Sequence, residues 1–230
     1  MAGFLDLPLE LRRQIYRYLL TRRKAFNAFS IRIDPYRFSK WGIEDRVKSL
    51  VLVSKQISNE AVEILYGENI FSYPLNGDSG YSLQKNFSPE NIQRIRKLRI
   101  IVQDAGCQYP DRVPDYELWS PILARLTKLQ IVAKQPLEQR GYYGAPSLES
   151  EVKKWVNWFG PMLSYIAGKI SNNLCVEMDY DDRRETDVLV NEHLPGRHRK
   201  VRTIDGDLMF KRGQFSMESG YWDDDYDGPN

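Results

Sequence analysis

The sequence predicts an α+β fold, in which helices cover one face of a mixed, irregular leucine-repeat-like β-sheet. Three observations predict it. Two amphipathic helical patterns stand near the start of the chain. Three later stretches share an apolar spacing that changes from helical to strand-like. Further helical patterns lie between those stretches.

The first helix is read from Leu7 to Thr21. Pro8 suits its first position, where a missing N–H costs nothing, and Glu10 in the first turn complements the helix dipole. Leu11, Ile15, Tyr18 and Leu19 fall on one face, with Arg12, Arg13, Gln14 and Arg17 on the others. Phe29, Ile31 and Ile33 alternate with polar residues, which predicts a short strand over 29–33, closed by Pro35. Val47 to Tyr66 reads as a longer helix with the stripe Leu50, Val53, Ile57, Ala61, Ile64 and Leu65, and Gly67 stands where a helix C-terminal glycine belongs. A strand at 70–73 follows. Gly77, Asp78, Ser79, Gly80 and Pro89 mark a loop over 74–90.

Beyond that loop the pattern repeats loosely. Ile92, Ile95, Leu98, Ile100 and Val102 pass from helical spacing to alternation, and Leu123, Leu126, Leu129, Ile131 and Ala133 do the same. Ile166, Ile170, Leu174, Val176 and Met178 give a third, looser copy. The intervals between copies are unequal, so the repeat is irregular. Strands are expected near 98–102, 129–133, 174–178 and 201–210, the last as a hairpin turning at Asp205-Gly206. Helices are expected at 115–125 and 150–170, with Pro161 breaking or kinking the second. The predicted organisation is a module at 1–73, a linker at 74–90, a scaffold at 91–215 and an acidic flexible tail at 216–230.

Composition narrows the function classes. Hydrophobic residues make up 42% and charged residues 28%, with a formal net charge of +2. That balance calls for neither a membrane nor nucleic acid. Arg94, Arg96, Lys97, Arg99, Arg125 and Lys128 are candidates for a basic strip, but a pI of 8.4 is mild for a nucleic-acid binder. Arg197, Arg199, Lys200 and Arg202 form another cluster, read as solvated surface, and Asp223, Asp224, Asp225 and Asp227 make the tail acidic. Two cysteines, Cys107 and Cys175, allow no disulfide framework, and Cys175 reads as a small packed strand residue. The start of the chain does not read as a signal peptide and no apolar run suits a membrane span, so the cytoplasm or nucleus is expected.

Catalytic patterns are absent. The sequence has no Gly-x-Gly-x-x-Gly, no P-loop and no Gly-x-Ser-x-Gly. His193 and His198, the only histidines, flank the loop dipeptide Pro195-Gly196 at a spacing that matches no metal-binding helix face. Asp179, Asp181 and Asp182 follow a strand and read as a solvated loop. The chain is therefore expected to be non-enzymatic, with no metal and no cofactor.

Two segments carry a resemblance. Phe4-Leu5-Asp6-Leu7-Pro8-Leu9-Glu10-Leu11 runs on to Ile15, Tyr18 and Leu19, and Leu50-Val51-Leu52-Val53-Ser54-Lys55-Gln56-Ile57 leads to Ile64-Leu65-Tyr66-Gly67-Glu68-Asn69. Together they resemble the F-box-like family of filamentous fungi, over residues 4–73. The resemblance implies an F-box-like helical module that docks the Skp-type adaptor of a cullin-RING ubiquitin ligase. Leu7, Pro8, Leu11, Ile15 and Leu19 would be its apolar contacts, and the C-terminal scaffold would bind an unknown client protein. Trp41, Tyr142 and Tyr143 are candidate client-facing aromatics. The alternative is a fungal interaction or structural protein without a ubiquitin-ligase link, whose two helices pack only on each other.

Overall fold

A computed structural model describes residues 3–22, 25–27, 49–50, 52–75, 84, 87–103, 115–137 and 147–212. The expected strand at 29–33, the aromatics Trp41, Tyr142 and Tyr143, Cys107, most of the 74–90 loop and the 216–230 tail lie outside these residues.

A 3-10 turn at Phe4–Asp6 leads into α1 (Leu9–Leu20). The short strand β1 is Phe26–Asn27, and α2 is Lys55–Glu68. The rest alternates strand and helix: β2 (Ile70–Leu75), α3 (Pro89–Arg94), β3 (Lys97–Val102), α4 (Tyr116–Leu123), β4 (Lys128–Ala133), α5 (Leu148–Lys169), β5 (Val176–Tyr180), α6 (Arg184–His193), β6 (His198–Lys200) and α7 (Ile204–Met209). The six strands form one sheet in chain order, each parallel to the next.

This corrects the expectation of a mixed sheet. Each strand from β1 to β5 leads through a crossover to the next, and the crossovers from β2 to β6 contain a helix, so none of these six strands is joined to its neighbour by a hairpin. β2 lies in register with β3 along its whole length, Ile70 opposite Lys97 and Leu75 opposite Val102. The stretch leaving α2 thus belongs to the same sheet as the scaffold.

Alternate strand residues sort the two faces. Phe71, Tyr73, Leu98, Ile100, Leu129, Ile131, Val176 and Met178 share one buried core with Ile92, Trp119, Trp155, Phe159 and Val190 of the helices. The helices from α2 to α6 line up on this face, each touching the next. That is what right-handed crossovers between sequential parallel strands produce. The other face carries Ser72, Arg99, Gln130, Glu177 and Arg199 in one row across the strands.

Several local expectations are corrected. The helix over 47–66 is interrupted at Ser54, whose side chain accepts from the Ile57 N–H and starts α2. Gly67 lies inside α2, and Asn69 is its C-cap. Pro161 sits within α5, which runs unbroken across it. Cys175 is exposed, one residue before β5. The hairpin over 201–210 does not form. Thr203 caps α7 by accepting from the Gly206 N–H at 2.9 Å, so Asp205-Gly206 lies in a helix. Among the described residues no helix is long and apolar enough to cross a membrane.

Candidate protein-docking site

α1 lies on α2, and a small core of Tyr16, Leu20, Ile57, Ala61 and Ile64 sits between them, with Phe4, Leu19 and Leu50 at its edge. The inward face of α1 is therefore Arg12, Tyr16 and Leu20. Of the apolar face read from the sequence, Leu11, Ile15 and Tyr18 point outward. Leu11 is 45% exposed, Ile15 38% and Tyr18 86%.

A buried arginine is stable there because its charge is met. Arg12 donates to both carboxylate oxygens of Glu60, at 2.9 and 2.7 Å, and to the carbonyls of Leu5 and Leu7 at 3.1 and 2.6 Å. The Tyr16 hydroxyl donates to the same carboxylate at 3.1 Å. The hydrogen bonds from Arg12 hold the Glu60 carboxyl down at about 2, and burial pushes the Tyr16 phenol up to about 12. The two carbonyl contacts also fix the segment that enters α1, with Leu5 43% exposed.

The far ends of the helices are tied as well. Arg17 donates to both oxygens of Glu68, at 2.8 and 2.9 Å. The buried Asn69 donates to the carbonyls of Leu20 and Leu65 at 3.0 and 2.9 Å, and accepts from the Arg22 N–H at 2.8 Å. Glu60, Glu68 and Asn69 thus hold α1 rigidly enough to present its outer face.

The candidate contacts divide. Pro8, Leu11 and Ile15 face outward, Leu7 is half-buried, and Leu19 packs at the edge of the small core. Val53, which the sequence pattern placed in the helical stripe, is 64% exposed, and its neighbour Leu52 is 82% exposed, both just before the Ser54 cap of α2.

Many cations of the charged clusters are ion-paired or hydrogen-bonded within the chain. Arg94 pairs with Glu63, Lys97 donates to the Glu68 carbonyl, and Lys128 pairs with Glu177. Arg199 pairs with Glu177, Lys200 with Asp182 and Arg202 with Asp207. Asp179 is no solvated loop residue: it is wholly buried in β5 and accepts from the Thr203 N–H, the Thr203 hydroxyl and Arg212. His198 Nδ1 lies 2.9 Å from the Leu194 carbonyl oxygen, and His193 Nε2 packs over Gly160. Among the described residues no three His, Cys, Asp or Glu side chains cluster to hold a metal.

No family model, curated protein or solved structure matches the chain.

Proposed function

We propose that this chain is a non-catalytic interaction adaptor. α1 and the turn before it dock a Skp-type adaptor protein of a cullin-RING ubiquitin ligase, and the parallel-sheet scaffold presents a client. One observation supports the reading above the others: α1 turns a charged residue inward and leaves Leu11 and Ile15 in solvent. A solvated apolar stripe on a well-anchored helix is the form of a helix-recognition surface. Burying each leucine or isoleucine in a partner would contribute roughly 1.5–3 kcal/mol, and a few such anchors dominate an interface.

The test is a pull-down of the full chain with purified Skp adaptor. Leu11→Asp and Ile15→Asp should each abolish capture while circular dichroism stays unchanged. Capture of both variants at the parent level, or no capture of the parent, removes the ligase reading. The second reading, a fungal interaction or structural protein without that link, draws on Leu19 and Tyr16 packing within the chain, and it predicts no capture at all.

A further inference from the structure

We propose that the sheet face opposite the main core, around Arg99, binds an acidic segment of another protein, and that α7 occupies this site in cis, with Asp205 standing where the partner's carboxylate would sit. The inference deepens the client-binding half of the proposed function and rests on it.

Among the described residues α7 is the helix that packs on the face opposite the main core. Its attachment is polar. Asp205 pairs with Arg99, Thr203 at its cap donates to Asp179, and Arg212 just beyond it donates to Asp179 at 2.7 Å and to the Tyr180 carbonyl at 3.0 Å. Two of its three large apolar residues contribute little, since Ile204 is 55% exposed and Leu208 70%, while Met209 is half-buried. A helix of six residues so attached is held mainly by these polar contacts on the buried Asp179 and less by apolar burial, so what opposes its release is electrostatic.

The seat beneath it is charged. Arg99 is only 10% exposed at its side chain, donates to Gln130 at 2.9 Å and meets Asp205 on its other side. Gln130 passes the chain of hydrogen bonds to Glu177 at 2.6 Å, which Arg199 and Lys128 also hold. Among the described strand residues this face carries Lys97, Arg99, Lys128 and Arg199 against Glu177 and Asp179, a surplus of cations beneath α7. With α7 lifted, Arg99 lacks its carboxylate, and a planar guanidinium on a rigid strand is suited to take another.

Gly206 gives a way to lift the helix without touching the seat. A Cβ at this position would overlap the Asp179 carboxylate, so the helix can lie this close to the sheet only with glycine.

The experiment uses the full chain, with trypsin cleavage at Arg202 reporting on α7 and a fluorescein-labelled deca-glutamate peptide as probe. Gly206→Ala should be cleaved faster than the parent at Arg202 and should bind the peptide on the order of ten-fold tighter at low salt. Adding Arg99→Gln should return binding to the parent level. Asp205→Asn, which inserts no atoms, should give a smaller gain in the same direction and guards against misfolding of the glycine variant. Faster cleavage with unchanged peptide affinity overturns the proposal, as does a gain that survives Arg99→Gln, or no gain in Asp205→Asn. Leu11→Asp should leave peptide binding untouched, so failure of adaptor capture and failure of this site are separate results.

Discussion

Arg12 and Glu60, forty-eight residues apart, form a two-pronged ion pair between α1 and α2, with 9% and 16% of their side chains exposed. A pair this sheltered is costly to break on one side, because the survivor keeps a charge without a partner. Glu60→Gln should cost about 2 kcal/mol of stability, read from the urea midpoint. The double variant Arg12→Met, Glu60→Leu should recover part of that loss, since an apolar pair removes two sheltered charges but leaves the Leu5 and Leu7 carbonyls and the Tyr16 hydroxyl without these partners.

The same carboxylate should shape the acid limb of stability. Glu60 falls from its ordinary 4.5 to about 2 through its hydrogen bonds from Arg12. For Glu177 burial pushes upward, but the bonds from Arg199, Gln130 and Lys128 outweigh it and hold the carboxyl at about 2. Both folded values lie below the unfolded ones, so their stabilisation is full above the ordinary carboxylate range and is lost as pH falls toward 2. Urea titrations between pH 7 and 2 should show this decline. Glu60→Gln and Glu177→Gln should each flatten it, and an unchanged slope in both would refute the linkage.

The alternation that the sequence shows in 98–102 and 129–133 was enough to locate β3 and β4, because their core residues are aliphatic at every second position. It could not show that Arg99, Gln130 and Glu177 are buried on the other face, because their partners come from neighbouring strands and from α7. The stripe on α1 was legible, but its direction was not. Local periodicity assigns Arg12 to solvent, and only Glu60, far along the chain, brings it inside. Asp205-Gly206 carries the usual signal of a hairpin turn. Here the glycine serves close helix-to-sheet approach, and Thr203 starts a helix instead. The late basic cluster was legible as charge, while its pairing with Glu177, Asp182 and Asp207 depends on tertiary placement.

The two faces of α1 should respond oppositely to truncation. Leu11→Ala and Ile15→Ala remove groups that are 45% and 38% exposed and should each cost no more than ~1 kcal/mol. Leu20→Ala, at a position 1% exposed in the small core, should cost about 3 kcal/mol. Thermal unfolding of the three variants checks the orientation of the helix without any partner. Equal losses in all three would mean that α1 is turned the other way.

Asn69 joins the ends of α1 and α2 through two donated bonds and one accepted bond. Asn69→Ala leaves the carbonyls of Leu20 and Leu65 short of a donor and should cost about 2 kcal/mol. Asn69→Asp should be worse at neutral pH, because a carboxylate cannot donate to either carbonyl and its charge would be buried. The order parent, alanine, aspartate in the urea midpoint tests whether the amide acts as a clamp or merely fills space.

Arg197 closes the C-terminal end of α5 from the loop before β6. Its guanidinium donates to the carbonyls of Ala167, Ile170 and Ser171 at 3.1, 3.4 and 2.9 Å. Ala167 and Ile170 lie at the end and cap of the helix, where carbonyls lack the next turn's donors, while the Ser171 carbonyl also accepts from the Leu174 N–H; a cation there also meets the negative end of the helix dipole. The preceding Gly196 has φ +65, so the chain turns into this position through a conformation glycine takes freely. Lysine retains the charge but not the planar fork, and cannot satisfy three carbonyls with the same geometry. Arg197→Lys should therefore lose about 1 kcal/mol and Arg197→Ala about twice that. If lysine matches arginine in the urea midpoint, charge alone suffices at this site and the fork geometry contributes nothing.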